Sequence, residues 1–239
     1  MTGEVNIDII NSILNQQCLV RKDLIKSKST IGVTENAVNS DLLSVAIKYR
    51  LIEKRRISTM KYMFASDVHG SAYYCRKMLD AYKEEKAERL VLLGDLLYHG
   101  PRNDLPKEYA PKEVITMLND MKKEIYAVRG NCEAEVDQMV LQFPVMADYC
   151  ILNLDGRTFY ATHGHIYNEN NLPPIQEGDI LVHGHTHVLK AEQKEGYILL
   201  NPGSVSIPKE GNPPTYAIFE DSVFTIKDFD GNIVKSIKL

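Results

Sequence analysis

Side chains that bind metal ions recur in this sequence where buried strands are expected to end. The seven histidines all lie between His69 and His187, and three of them fall in the segment VHGHTH at residues 182–187. Aspartate, asparagine and histidine supply the oxygen and nitrogen atoms that bind divalent transition metals. The candidate ligands lie in SDVHG, LGDLL, RGNCE, THGH and GHTH, and they are Asp67, His69, Asp95, Asn131, His163, His185 and His187.

This set is larger than a single ion requires. A catalytic zinc ion uses three protein ligands and one water, so the set predicts two ions that share a carboxylate. Asp95 is the expected bridge, because it follows a central strand and its carboxylate has two oxygens. Two ions roughly 3.5–4 Å apart can activate a bridging hydroxide and neutralise phosphoryl oxygens. The predicted chemistry is therefore hydrolysis of a phosphate ester by that hydroxide.

The spacing of the candidate ligands predicts how they meet. Asp67 and His69 are two residues apart, so in extended backbone their side chains project to the same side, and the same holds for His185 and His187. The carboxyl ends of strands in an open α/β sheet face one crevice, where we expect the ligands to converge. Glycines that allow sharp turns adjoin them at Gly70, Gly94, Gly130, Gly164 and Gly184.

The segments that carry the ligands belong to a regular pattern from Lys61 onward. Short apolar runs predict buried strands, and helical spacing predicts helices between the first three of them. This order favours parallel pairing, whereas the later strands are separated by turns, including a hairpin at Asp155-Gly156. We expect an α/β fold with two packed sheets and helices outside. The first five elements cover residues 61–66, 71–87, 89–95, 111–122 and 124–131, and the later strands cover 149–154, 157–164, 179–184, 196–201, 215–220, 222–229 and 231–239.

Composition excludes several classes of protein. The formal net charge of −4 argues against an extended nucleic-acid surface, which needs a dense basic face. No apolar run approaches the roughly 20 residues that span a bilayer, and there is no signal-peptide pattern. The four cysteines form no CxxC pair or disulfide framework, which suits a reducing compartment. We therefore expect a cytoplasmic protein that does not bind membranes.

Residues 1–60 differ from the rest of the chain. They contain no proline and have poor core potential, although amphipathic helices are predicted around residues 7–14 and 41–52. We interpret residues 1–60 as an extension that is either poorly ordered or not native, and residues 61–239 as the functional domain. The alternative is a partner-binding or oligomer-forming pair of helices, so a homo-oligomer is also compatible with the sequence.

The order D-x-H, G-D, G-N, H-G-H and G-H-T-H resembles that of the calcineurin-like metallophosphoesterase superfamily. FASDVHGS, LGDLLYHGPRN, AVRGNCEAEVDQM and NPGSVSIPK are similar to a bacterial phosphodiesterase of that superfamily, from about Lys61 to the C-terminus. The resemblance implies the metallophosphoesterase fold, an α/β fold of two packed mixed β-sheets flanked by helices in α-β-β-α layers. It also implies hydrolysis of phosphodiester bonds in a small substrate.

The resemblance also assigns the metal ligands and the metal. Mixed carboxylate, amide and imidazole ligands suit manganese, zinc, iron, nickel or cobalt, and the resemblance favours manganese. It implies that the first ion is held by Asp67, His69, Asp95 and His187, and the second by Asp95, Asn131, His163 and His185.

One position departs from the superfamily pattern. Many members have a histidine directly after the metal-binding asparagine, where it protonates the leaving group. Here that position is Cys132, so we expect leaving groups that need little protonation, and the Cys132 thiol is the remaining candidate acid.

Substrate contacts are expected from Asn131 and from residues close to the ligands. His99 and Arg102 belong to the loop LLYHGPRNDLPKEYAP, and loops over a metal cleft often touch substrate. His165 is either a substrate contact or a partner of the ligands, and His183 is expected to serve packing or second-sphere hydrogen bonding.

Two alternatives to a phosphodiesterase remain at this stage. One is a phosphomonoester phosphatase, which would use the same metal chemistry. The other is a non-catalytic protein-binding scaffold on the same fold, as in the retromer subunit, whose metal site is degraded. The full set of ligand types favours an enzyme.

Overall fold

The structure, a computed structural model, describes residues 60–239. The interpretation of residues 1–60, including the two amphipathic helices, falls outside the described residues apart from Met60. Within the described part, eleven strands form two mixed sheets, and helices cover the first sheet. The expected α/β fold of two packed mixed sheets flanked by helices is confirmed.

The first sheet contains the predicted parallel unit. β1 pairs in parallel with β2, and β2 pairs in parallel with β3, with a helix in each crossover. The last three strands return to this sheet, where β9 lies antiparallel to β1. The order is β11-β10-β9-β1-β2-β3. The bounds are Tyr62–Ala65 for β1, Arg89–Leu92 for β2, Ile125–Ala127 for β3, Thr215–Glu220 for β9, Val223–Asp228 for β10 and Ile233–Lys238 for β11.

The second sheet begins with the predicted hairpin and continues differently. β4 and β5 pair antiparallel around Asp155 and Gly156, but β5, β6 and β8 are parallel. β7 was not predicted, because its sequence KAEQ has no apolar run. The order is β4-β5-β6-β8-β7. The bounds are Tyr149–Leu154 for β4, Arg157–Thr162 for β5, Asp179–Val182 for β6, Lys190–Gln193 for β7 and Tyr197–Asn201 for β8.

Helices α1 and α2 lie where apolar residues recur at helical spacing. α1 spans Ala72–Glu84, and the Ser71 hydroxyl caps it by accepting a 3.2 Å hydrogen bond from the Tyr74 amide. α2 spans Pro111–Asp120, with its proline at the start of the helix, where no amide hydrogen is needed. A short third helix, α3, spans Glu135–Val140 and was not predicted, because none of its residues is buried.

Two apolar cores hold the layers together. β1 alternates between them: Met63 faces α1 and α2, whereas Phe64 faces the second sheet. Phe64 packs there against Phe159 and Phe224, with ring centroids 6.1 and 5.6 Å away. Because both faces of β1 and β2 are buried, these strands read as continuous apolar runs rather than alternating ones. Within residues 60–239, no helix is both long and apolar enough to cross a membrane.

Candidate metal centre

The candidate ligands follow strands of both sheets and meet where the two sheets adjoin. In the first sheet, the amide of Asp67 donates to the Gly94 carbonyl over 3.1 Å, and that of His69 to the Asp95 carbonyl over 2.9 Å. The sheets are joined at this point, because the His185 amide donates to Asp67 Oδ2 over 3.0 Å. The structure therefore brings the ends of β1, β2, β5 and β6 to one place.

The backbone that presents the ligands is not extended, so the expectation from two-residue spacing is wrong in its mechanism. The φ angles of five candidate ligands lie between 49° and 66°, in the left-handed region that side chains rarely adopt. Such residues cost of order 1–3 kcal/mol each and recur at functional sites. The side chains converge because the chain turns sharply at each of them. These residues are Asp67, His69, Asp95, His185 and His187.

Two glycines are required because neighbouring segments of the chain pass too close to leave room for a side chain. A Cβ on Gly130 would overlap Asp95 Oδ1, and a Cβ on Gly184 would overlap the Ser66 hydroxyl. Both contacts are with groups at the site itself. At Gly130 and Gly184 the requirement for glycine is therefore this close approach of the loops rather than a positive φ angle.

The first group of predicted ligands forms a compact set of acceptor atoms. His69 Nε2 lies 3.3 Å from His187 Nε2, 3.6 Å from Asp67 Oδ1 and 3.7 Å from Asp95 Oδ2. His187 Nε2 lies 3.2 Å from Asp67 Oδ1. These four side chains are the set that the superfamily resemblance assigns to one ion.

The second group meets the first at Asp95. Asp95 Oδ2 lies 3.4 Å from His163 Nε2, and that nitrogen lies 3.1 Å from Asn131 Oδ1 and 3.2 Å from His185 Nδ1. The other oxygen, Asp95 Oδ1, accepts a 2.9 Å hydrogen bond from the Cys132 amide, which fixes the orientation of the carboxylate. Asp95 Oδ2 therefore faces both groups, as expected for a shared ligand.

Backbone carbonyls fix the tautomers of three of the imidazoles. The Nδ1 atoms of His69, His163 and His187 lie 2.7, 2.6 and 2.7 Å from the carbonyl oxygens of Tyr98, Leu93 and Ile207. A carbonyl only accepts, so each Nδ1 carries the hydrogen and donates it. In the neutral rings the Nε2 lone pairs then point into the site, which is the usual arrangement of metal-binding histidines.

This donor set fits a bound cation. With the Nδ1 hydrogens of His69 and His187 donated to backbone carbonyls, the two Nε2 atoms face each other 3.3 Å apart. Asp67 Oδ1 is buried and has no hydrogen-bond partner among the described residues. Buried acceptors of this kind are unfavourable unless a positive charge lies among them.

The titration behaviour of the site shows the same attraction for positive charge. Burial raises the pKa of Asp67, but the imidazoles of His187 and His69, whose Nε2 atoms lie 3.2 and 3.6 Å from Oδ1, hold it well below its usual value. Burial lowers the pKa of His163, but its hydrogen bond with Asp95 and the charges of both carboxylates raise it to about 9. Burial and the neighbouring His163 lower the pKa of His185 to about 4, so this ring is neutral at pH 7.

Glu133 is a supporting residue that the sequence reasoning missed. Its carboxylate accepts hydrogen bonds from the amides of Asp95, Leu96 and Gly130, over 2.8, 2.7 and 2.5 Å. The Glu133 side chain is 4% exposed. Its burial and, to a smaller extent, the negative charge of Asp95 raise its pKa. One side chain thus ties the Asp95 loop to the loop that carries Asn131. An acidic residue two positions after a candidate ligand was the available signal.

Two serines hold the Asp67 loop from the other side. The hydroxyls of Ser204 and Ser206 both donate to the carbonyl oxygen of Asp67, over 2.9 and 3.0 Å. They belong to the segment NPGSVSIPK, one of the segments that carry the superfamily resemblance. Their role is to fix the backbone of a candidate ligand.

A cavity of about 450 Å³ opens onto the candidate ligands. Of the four predicted substrate contacts, Asn131 and Arg102 line this cavity, whereas His99 and His165 do not. His99 instead packs edge-on against Tyr109, with ring centroids 5.2 Å apart. His165 lies beside His163, with ring centroids 5.4 Å apart.

His183 is buried beside the ligand set, whereas Cys132 lines the cavity. His183 is 1% exposed, and its Nδ1 lies 3.0 Å from the Gly184 carbonyl, which agrees with a packing role. Cys132 lines the cavity next to Asn131, whose amide Nδ2 lies 3.3 Å from its sulfur. Burial and, to a smaller extent, the negative charge of Asp95 raise the pKa of the Cys132 thiol, so the thiol stays protonated at neutral pH.

Comparison with known proteins gives a consistent match over the described part of the chain. The profile of the calcineurin-like phosphoesterase superfamily domain matches residues 60–222. Phosphodiesterase YfcE of Escherichia coli strain K12 is 47% identical over 167 residues, which cover 70% of this chain and 91% of that protein. YfcE is the bacterial phosphodiesterase whose motifs this sequence resembles. Probable metallophosphoesterase YsnB of Bacillus subtilis is 24% identical over 190 residues, covering 75% and 97% of the two chains.

Solved structures agree with the sequence comparison. The structure of YfcE, a phosphoesterase from E. coli, matches with a TM-score of 0.74 and 44% identity, covering 75% of this chain and 99% of that one. Vacuolar protein sorting 29 from Cryptosporidium parvum matches with a TM-score of 0.51 and 17% identity, covering 76% and 99%. The second match concerns the fold alone.

Proposed function

This chain belongs to the calcineurin-like phosphoesterase superfamily, and on that premise we propose that it hydrolyses phosphodiester bonds in a small substrate with the help of two divalent metal ions. The observation that carries the proposal is the pair of ligand groups that share Asp95 Oδ2, together with the Asp67 oxygen that has no hydrogen-bond partner among residues 60–239. A purely structural cluster would have hydrogen-bond donors opposite these acceptors.

Each ion would be held by one group of ligands. Manganese is our preferred metal, with zinc, iron, nickel or cobalt as alternatives, because imidazole and oxygen ligands suit all of them. When bound, such ions supply a hydroxide nucleophile at neutral pH and positive charge beside the phosphoryl oxygens. One group is Asp67, His69, Asp95 and His187, and the other is Asp95, Asn131, His163 and His185.

The protein's own contribution is to hold the ligands in place before substrate arrives. Backbone carbonyls orient three imidazoles, the Cys132 amide orients Asp95, and the Glu133 carboxylate fixes two ligand loops. Preorganised polar groups need little rearrangement during the reaction, which is the largest source of many enzymes' rate enhancement. The amide nitrogen of Asn131 faces the cavity side of the site beside Cys132, where it can donate to a phosphoryl oxygen.

A preference for diesters with good leaving groups follows from Cys132. Its raised pKa makes the thiol a weak proton donor at neutral pH. A leaving group that departs as a stable anion needs no such donor. The curated relative that is 47% identical is named a phosphodiesterase, which supports the same preference.

Two other functions compete with this one. A monoester phosphatase would use the same ligands but would accept a doubly charged phosphate. A protein-binding scaffold shares only the fold with this chain, and the retained donor set gives no advantage to a scaffold. We also propose that the enzyme works in the cytoplasm, since Cys75, Cys132 and Cys150 are free thiols.

The proposal is tested by an activity screen of the full chain against each metal, with Asp95→Asn as the blank. We expect manganese to give the fastest hydrolysis of bis(p-nitrophenyl) phosphate, and Asp95→Asn to lower kcat by about 10³-fold, because it removes the shared charge. Metal content by mass spectrometry should fall in parallel.

Each competing function predicts a different result in the same screen. Faster hydrolysis of p-nitrophenyl phosphate than of the diester would favour the monoesterase. No turnover with any metal, together with no bound metal in the wild type, would favour the scaffold.

A further inference from the structure

The outer part of the cavity carries two positive charges that the proposed metal chemistry does not use. Its outer wall is formed by residues 100–103 and by Lys209, which we call the cavity rim. The residues that line the cavity include one arginine, Arg102, and one lysine, Lys209. Asp95 is the only carboxylate among the lining residues. Asp95 faces the histidines, so both charged residues of the rim are cations.

Both cations are attached to the ligands through short stretches of backbone. His69 donates from Nδ1 to the Tyr98 carbonyl, four residues before Arg102. His187 donates from Nδ1 to the Ile207 carbonyl and also accepts, at its own carbonyl, a 3.1 Å hydrogen bond from the Lys209 amide. The two sides of the rim are therefore tied to two imidazoles of the same ligand group, and their backbone positions are set relative to the site.

Neither cation is neutralised by the protein within residues 60–239. Some lysines in this part of the chain have carboxylate partners, such as Lys227 with Glu85 at 2.6 Å and Lys61 with Glu220 at 2.8 Å, whereas others, such as Lys112 and Lys238, have none within 4 Å. Arg102 and Lys209 form no ion pair and no side-chain hydrogen bond with the described residues. Two positive charges without ion-pair partners at the mouth of one cavity favour a negatively charged ligand.

A simple diester would leave the charges of the two rim cations unmatched. A phosphodiester has one negative charge, and in the proposed enzyme the two ions beside Asp67 and Asp95 already provide the positive charge that it needs. The cavity of about 450 Å³ is also larger than a phosphate group and falls in the usual range for small-molecule sites. The cavity is therefore large enough for a second anionic group on the substrate, and the rim cations would attract that group.

We propose that Arg102 and Lys209 form an anion subsite, and that the substrate is a small organic phosphodiester with a second phosphate or carboxylate group. This inference rests on the proposed function and narrows its substrate class. The second group lies between the two rim cations while the scissile phosphate lies at the ligands. Arginine and lysine both bind phosphate, the first through a bidentate fork and the second as a point charge.

The test uses two substrates that differ only in the second anion. Thymidine 5′-(p-nitrophenyl phosphate) carries one negative charge. Its 3′-phosphorylated form carries an additional phosphate on the nucleoside, and both substrates release the same leaving group, p-nitrophenolate. We expect the wild type with manganese to prefer the 3′-phosphorylated form. Arg102→Gln and Lys209→Gln should each raise KM for that form by about 3- to 10-fold, with kcat and the other substrate little changed.

Lys238→Gln is the matched control, because Lys238 is an exposed lysine on β11 outside the cavity. It should leave both substrates unaffected. The subsite is wrong if the rim variants weaken both substrates equally, since the cations would then act on the scissile phosphate. It is also wrong if they change neither.

A binding measurement separates this inference from the proposed function. Calorimetry with thymidine 3′,5′-bisphosphate and thymidine 5′-monophosphate needs no turnover. If neither diester is hydrolysed, the proposed function fails, yet selective binding of the bisphosphate by the wild type and its loss in the Arg102→Gln Lys209→Gln double variant would still support the subsite. Equal binding of both nucleotides would overturn it.

Discussion

The candidate ligands and the cavity rim lie side by side but are built in opposite ways. Five of the ligands are at most 3% exposed, and every described loop that carries them is held by hydrogen bonds to buried groups. We call the seven candidate ligands the ligand cradle. The five members that are at most 3% exposed are Asp67, His69, Asp95, His163 and His187. In the rim, Arg102 and Lys209 are exposed, and their side chains form no hydrogen bond or ion pair with residues 60–239.

The difference assigns separate physical tasks to the two regions. A buried set of acceptors must be rigid, because loose ligands would turn away from one another when no cation is present. An exposed cation can change its position or identity without disturbing the cores. Substitutions in the cradle or its supports should therefore alter metal binding and the rate together. Substitutions in the rim should alter substrate affinity alone.

The largest effect that tests this comparison is expected at Glu133. Its carboxylate bonds to backbone amides rather than to the metal-binding atoms, and it holds the two loops that carry Asp95 and Asn131. Glu133→Gln replaces one carboxylate oxygen by an amide and leaves at least one of three buried backbone donors unsatisfied. We expect manganese affinity to fall by about 10- to 100-fold, as is usual for groups that support metal ligands. Stability should fall by about 1–3 kcal/mol. Calorimetry with manganese and thermal unfolding measure the two effects.

Glu135→Gln is the matched control, because Glu135 is an exposed acid only two residues away, at the start of α3. It should leave both quantities unchanged. Normal manganese affinity in Glu133→Gln, with lowered stability alone, would mean that Glu133 supports the fold but not the cradle.

A smaller effect is expected at Cys132, which lies between the two regions. Its amide orients Asp95, whereas its side chain lines the cavity. Cys132→His keeps the amide and adds the imidazole that many superfamily members have there. We expect kcat for a diester with an alkyl leaving group to rise by about 10-fold, because the imidazole can protonate that group. Hydrolysis of bis(p-nitrophenyl) phosphate should change little, since p-nitrophenolate leaves unaided.

Cys132→Ser separates the imidazole from mere loss of the thiol, and it should behave like the wild type on both diesters. Manganese affinity should be unchanged in both variants. An equal gain on both leaving groups would show that position 132 acts on the ions rather than on the leaving group.

The sequence predicted the elements better than their arrangement. Apolar runs identified β1, β2 and β3 and the parallel order that joins them; both faces of β1 and β2 are buried, whereas β3 is an edge strand with Tyr126 exposed. The strand KAEQ was missed, since an edge strand with one polar face has no such run. The parallel pairing of β5, β6 and β8 was also missed, because sequence neighbours with turns between them suggest hairpins.

For the site, residue types were easier to predict than geometry. All seven ligand candidates do come together, yet the reason given for the pairs was wrong: the left-handed φ of Asp67 and His185, not extended backbone, directs the chain. Nor could spacing identify Glu133 or Lys209, whose roles depend on loops from distant parts of the sequence. Long-range contacts of this kind require the folded structure.

The smallest expected effect concerns the rim's internal support. Asn103 Nδ2 donates to the His99 carbonyl over 2.8 Å and closes the turn that carries Arg102. Asn103→Ala removes one partly buried hydrogen bond, worth about 0.5–1.5 kcal/mol, and loosens that turn. We expect KM for the 3′-phosphorylated diester to rise by about 2- to 5-fold, while kcat and manganese affinity stay constant. Asn119→Ala is the control, because Asn119 holds the Val140 carbonyl in the same way outside the cavity. A fall in manganese affinity in Asn103→Ala would mean that the rim and the cradle move as one unit, and the proposed division of tasks between them would be wrong.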